Sequence, residues 1–237
     1  MDYLRDVKSY ERTMYFPNSD KLFSAYIVGD SRTWVLDERV WSDFGYGRVT
    51  FLSMRGAEVD DISSDLLSSL RGRVEGEISS IKLCLGLNNV LNGQSPDSVF
   101  ERLLILKQTL LREFDNIVVA FADIAPVDLS KWQDNRPFQL SNTQANCRIR
   151  AVNNLIYVEN KKIYRPFLNP GSTPFLSRAL VRDIKCNFRG KPRQIVTVQK
   201  SFLRDGLHVT APCKQRWVKT LTSSLKKDLI FLKNKKN

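Results

Sequence analysis

From residue 22 onward, short apolar runs alternate with amphipathic stretches, and this alternation most limits the folds open to the chain. Leu22 to Val28 reads as a buried strand, Arg48 to Ser53 as a second, Ile81 to Leu85 as a third and Asn116 to Ala122 as a fourth. The fourth is apolar almost throughout, the pattern of a strand covered on both faces. Thr33 to Asp43 and Asp60 to Leu70 read as helices, the latter with Ile62, Leu66, Leu67 and Leu70 at helical spacing. Ser95-Pro96-Asp97 starts a helix with proline in its first turn. That helix runs to about Phe114, with Phe100, Leu103, Leu104, Lys107 and Leu111 outlining one face. Asn142 to Glu159 reads as another helix, Ile163 to Phe167 as a short fifth strand, and Ala211 to Leu232 as the closing helix. Such alternation predicts an α/β fold: three layers, α/β/α, on a parallel five-stranded sheet. In sheets of this kind functional residues gather on loops at the carboxyl ends of the strands.

Two segments fall outside the rhythm. Residues 1–20 are polar with scattered aromatics, and they read as an N-terminal arm or short helix packed on one domain spanning 21–237. Residues 168–204 carry Pro170, Gly171, Pro174, Pro192 and a series of basic side chains, and read as a long basic insertion or lid. Long loops of this kind are usually functional or disordered.

A chain of 237 residues can bury a full core as one domain. No apolar run approaches the ~20 residues of a membrane span. The charged start, Met1 to Asp6, does not read as a signal peptide, so a cytoplasmic, intracellular protein is expected. Cys84, Cys147, Cys186 and Cys213 are widely spaced and read as free thiols; with one histidine in the chain, no zinc site or other metal is expected. Residues 1–135 hold 15 basic and 21 acidic side chains, whereas residues 136–237 hold 22 and 4. That asymmetry points either to a polyanionic partner, nucleic acid or an anionic membrane surface, or to a basic face that is merely solvated.

Four short blocks fall where the alternation places loops. Gly29-Asp30-Ser31 follows the first strand, Arg55-Gly56-Ala57 the second, and Gly86-Leu87-Asn88-Asn89 the third. Asp205-Gly206-Leu207-His208 precedes the last helix and contains the sole histidine. A hydroxyl nucleophile needs a base that exchanges protons near neutral pH, and histidine suits that role. Each block alone also fits a plain turn or helix cap.

Together, in this order and spacing over residues 22–232, they resemble the SGNH (GDSL-type) hydrolase family. The resemblance implies a flavodoxin-like sheet and a serine esterase without cofactor, acting on a carboxylic ester such as an acyl lipid or an acetylated sugar. Ser31 would be the nucleophile, His208 the base and Asp205 its orienting carboxylate. The backbone N–H groups of Ser31 and Gly56 and the side-chain amide of Asn88 would form the oxyanion hole. The chain departs from the family pattern at Asn89, where aspartate is usual, and at Arg32, which follows the serine in place of leucine. Arg32 would either cap the local structure or read an acidic group on the substrate. Asp30 would support the loop through backbone hydrogen bonds. The cytosolic character, the basic second half and the Gly-X-Asn-Asn block also look like esterase domains of non-long-terminal-repeat retrotransposons. An alternative therefore stays open: an SGNH-like scaffold that binds nucleic acid or anionic membrane. Trp34, Trp41, Trp132 and Trp217 are candidates for a groove or for the core. A Gly-X-Ser-X-Gly elbow, a Gly-X-Gly-X-X-Gly loop and a Walker loop are all absent from the sequence.

Overall fold

Strands that alternate side chains between two covered faces must find a helical layer on each side. Ile27 and Ala25 in one direction and Tyr26 and Val28 in the other do so, in two separate apolar clusters. The computed structural model describes residues 9–16, 20–33, 45–71, 78–132, 140–164, 176–179, 181–188 and 191–236. Strands β1 (Ser9–Tyr15), β2 (Asp20–Gly29), β3 (Tyr46–Met54), β4 (Ile78–Cys84) and β5 (Ile117–Phe121) form one sheet in the order β1-β3-β2-β4-β5. Helices α1 (Val59–Leu70), α2 (Leu87–Leu91), α3 (Pro96–Glu113) and α4 (Asn142–Tyr164) supply side chains to one cluster, and α5 (Ala211–Lys236) to the other. The α/β architecture with helices on both faces is thus as the sequence predicts.

The sheet is mixed rather than wholly parallel. β2, β3, β4 and β5 are parallel, but β1 pairs antiparallel with β3 from Ser9 opposite Met54 to Tyr15 opposite Arg48. The fifth strand therefore comes from the N-terminal stretch read as an arm or short helix. Its polar alternation is that of an edge strand: Met14 packs on the core while Glu11 and Tyr15 face solvent. The fifth strand expected at Ile163 to Phe167 is not formed at its start, because α4 continues through Tyr164; residues 165–167 lie outside the described residues. The helix expected over Thr33 to Asp43 lies outside them beyond Thr33. Within the 168–204 stretch, β6 (Val181–Phe188) and β7 (Lys191–Val198) form a separate antiparallel hairpin.

Register places the site. Gly29 at the end of β2 stands level with Ser53 of β3 and Cys84 of β4. The chain segments at Ser31, Gly56 and Asn88 accordingly leave neighbouring strands at the same carboxyl rim.

Candidate active site

Past Gly29 the chain turns sharply. Thr33 N–H donates to the Asp30 carbonyl at 3.0 Å, and the Asp30 carboxylate accepts from Arg32 N–H at 2.9 Å. Thr33 Oγ1 bonds the same carbonyl and Ser53 Oγ, which ties the turn to β3. Ser31 is left half-buried at the apex. Asp30 supports this loop as the sequence suggests.

Ser31 Oγ lies 3.0 Å from His208 Nε2 across 177 positions of chain. His208 Nδ1 lies 2.7 Å from Asp205 Oδ2, while Asp205 Oδ1 accepts from the backbone N–H of His208 at 2.7 Å and of Leu207 at 3.1 Å. An ionised carboxylate only accepts, so Nδ1 carries the proton in the neutral ring. Nε2 then presents its lone pair to the serine hydroxyl. Burial raises the Asp205 pKa, but the bonds from the His208 backbone, its ring and Leu207 N–H outweigh it, and the group sits below its ordinary value. The three side chains that the sequence nominated as nucleophile, base and orienting carboxylate are thus brought into one hydrogen-bonded line.

The second and third blocks meet beside it. Asn88 Nδ2 donates to the Ala57 carbonyl at 2.8 Å, which fixes the amide plane next to Gly56 and leaves the second N–H of the amide for another acceptor. Gly56 has φ +71°, and a Cβ there would point into open space. Its backbone conformation, rather than a crowded approach by protein, is what favours glycine. Asn89, which replaces the usual aspartate, is buried. Its Oδ1 accepts from Val59 N–H, and its amide donates to Glu58 and Gln94, so it secures the start of α1.

Arg32 is engaged by the protein itself. It is buried, donates Nη1 to the Ala125 carbonyl at 3.0 Å and lies over the Trp217 ring at 5.8 Å. Desolvation lowers its pKa, although Asp30 and Asp123 oppose the shift. Trp217 is a core residue that donates Nε1 to the Leu176 carbonyl. Trp34 and Trp41 lie outside the described residues.

No family model and no curated protein sequence matches the chain. Solved structures do. A member of the lipolytic protein G-D-S-L family from Veillonella parvula superimposes with a TM-score of 0.57 and 12% identity, over 85% of this chain and 97% of that one. A GDSL-like lipase from Bacteroides thetaiotaomicron gives 0.54 and 16%, over 86% of each. A lipase/acylhydrolase from Enterococcus faecalis gives 0.51 and 16%, over 86% and 96%. This chain has the SGNH hydrolase fold. Within that SGNH fold, sequence reasoning missed the support beneath His208. Gly206 accepts from Asp128 N–H at 2.8 Å, and Lys131 Nζ donates to the Leu203 carbonyl at 3.1 Å. Asn142, Asn146, Asn153 and Asn160 share one stripe of α4.

Proposed function

We propose that the protein is a serine esterase that hydrolyses a carboxylic ester through Ser31, His208 and Asp205. The observation that carries the reading is the line of bonds from Ser31 Oγ to His208 Nε2 and from Nδ1 to Asp205, at 3.0 and 2.7 Å. Ser31 Oγ attacks the ester carbonyl as its proton passes to Nε2. The developing oxyanion takes hydrogen bonds from Ser31 N–H, Gly56 N–H and the remaining Asn88 amide hydrogen. The tetrahedral intermediate collapses to the acyl-serine, and Nε2 returns the proton to the departing alcohol. Water, deprotonated by the same nitrogen, then attacks the acyl-serine, releases the acid and restores Ser31. Asp205 holds the tautomer and stabilises the imidazolium. Acyl lipids and acetylated sugars are the substrate classes to test. Wild-type protein should hydrolyse p-nitrophenyl acetate and take a fluorophosphonate label, and Ser31→Ala should lose both. Equal rates in the two proteins would overturn the reading.

The outer face of α5 supports a second, compatible activity. Arg216, Lys219, Lys226 and Lys233 are exposed along it, and Asp228, the only acidic residue of the helix, is fully buried. The apolar face of α5 packs on the sheet, and Ile230 is the one large apolar side chain it leaves exposed, too little to insert into a membrane. Phosphate contact by charge alone fits the strip better, and single-stranded nucleic acid is the partner proposed. Binding should weaken steeply with added salt and fall in Lys219→Glu/Lys226→Glu. Salt-insensitive binding, or none, would end this reading.

A further inference from the structure

The acid–base turn does not stand unsupported. Residues 203–209 close on themselves through a bridge between Leu203 and Val209 and a bond from Arg204 N–H to the His208 carbonyl. The closed turn is seated on a shelf, residues 127–131. Asp128 N–H donates to Gly206 O, and Lys131 Nζ donates to Leu203 O. Gly206 holds φ +87°, and a Cβ on it would collide with the Asp128 carbonyl, so turn and shelf touch backbone to backbone.

The shelf is a short loop and a single 3-10 turn (Leu129–Lys131) beyond the edge strand β5, and among the described residues no strand pairs with it to fix its height. Helix α4 supplies that height. Asn146 accepts from Val127 N–H at 3.0 Å and donates to Val127 O at 2.8 Å, and Asn142 accepts from Leu129 N–H at 3.1 Å. Asn153 and Asn160 clasp Ile124 and Phe121 in the same paired way further back along the chain. Side-chain amides thus do for this strand extension what a neighbouring strand would do for a ladder.

We infer that Asn146 and Lys131 are positioning residues that set the height of the Asp205–His208 pair opposite Ser31, through the 127–131 shelf. Neither touches the reacting atoms. The inference rests on the esterase reading for its rate consequences, but not for its geometry. A misplacement of about 1 Å of a reacting group costs up to about 100-fold in rate.

The test uses the full chain with Asn146→Ala, Lys131→Met and, as control, Asn153→Ala. The control removes the same pair of bonds at Ile124, away from the shelf. Because His208 is the sole histidine, every imidazole signal in an NMR spectrum belongs to it, and the signal to follow is its ring Nδ1 proton. Asn146→Ala and Lys131→Met should shift or broaden that signal. They should also lower kcat for p-nitrophenyl acetate roughly 10-fold to 100-fold with KM nearly unchanged. Asn153→Ala should leave the signal in place, even where it lowers the melting temperature as much. Folded Asn146→Ala and Lys131→Met proteins with the wild-type imidazole signal would overturn the inference. So would an Asn153→Ala protein that shifts the signal equally, since support would then be general. Should Asn146→Ala fail to fold, Lys131→Met carries the same test alone. Loss of the imidazole signal together with hydrolysis that survives Ser31→Ala would sink the esterase reading while upholding the positioning.

Discussion

The direction of one proton decides most of the chemistry at Ser31. Asp205 accepts from Nδ1, so the acceptor nitrogen of the ring faces the hydroxyl. Asp205→Asn replaces an obligate acceptor with a group that can donate, and the ring proton moves to Nε2, where it blocks the serine. We expect kcat for p-nitrophenyl acetate to fall about 10⁴-fold while the fold survives; a fall under about 10-fold would argue against the assigned tautomer. On the proposed esterase reading Asn88 is an oxyanion donor, and Asn88→Ala should then cost about 10²–10³ in kcat for p-nitrophenyl acetate. Asp205 also links pH to stability. Its folded pKa is depressed, so its contribution is present above the unfolded value and is lost as pH falls through the folded one. Glu159 behaves alike: burial opposes it, but bonds from Lys107 and Lys162 lower its pKa. The urea midpoint should therefore drop from about pH 4 downward, and less steeply in Asp205→Asn. A midpoint flat across that range would contradict the lowered values.

Elements differed in how openly the sequence announced them. β5 was plain because five consecutive buried residues leave no alternative to a covered strand. The start of α3 was plain because Ser95 and Pro96 state it locally; Ser95 Oγ accepts from Ser98 N–H at 3.2 Å, and Ser95→Ala should cost about 1 kcal/mol in chemical denaturation. β1 was hidden because an antiparallel edge strand buries only one side, and its polar residues read as an arm. The Ser31, Gly56, Asn88 and His208 blocks were legible only jointly, through their order and spacing in an SGNH-like pattern, because each alone also fits a plain turn or cap. The shelf was not, because it is held by side chains far apart in the chain. Asn142, Asn146, Asn153 and Asn160 are spaced four, seven and seven residues apart, one stripe of a helix, but nothing in their own segment shows that the partner is bare backbone after β5. Arg32 likewise gave no local sign that Ala125 and Trp217 would bury it.

Across the whole molecule the basic second half acquires its meaning from where its few acids go. Asp205 serves the imidazole, Glu159 pairs with Lys107 and Lys162, and Asp228 leaves the surface of α5 altogether. Asp228 and Lys82 are both fully buried, 2.5 Å apart, where α5 crosses the middle of β4, and Ser80 adds a hydroxyl bond to the carboxylate. The pair joins the central sheet to the helical layer and strips the outer face of α5 of its only negative charge. Two desolvated ions attract strongly but gain little net over an apolar pair, whereas one ion alone in the core is costly. Asp228→Ala should therefore lower the unfolding free energy by roughly 3–5 kcal/mol in urea denaturation. Lys82→Met/Asp228→Leu, which removes both charges and refills the space, should recover most of that loss. The two-residue variant should keep the basic strip of α5 and any binding that depends on it. If the single and double variants were equally destabilised, packing rather than charge would be holding β4 against α5.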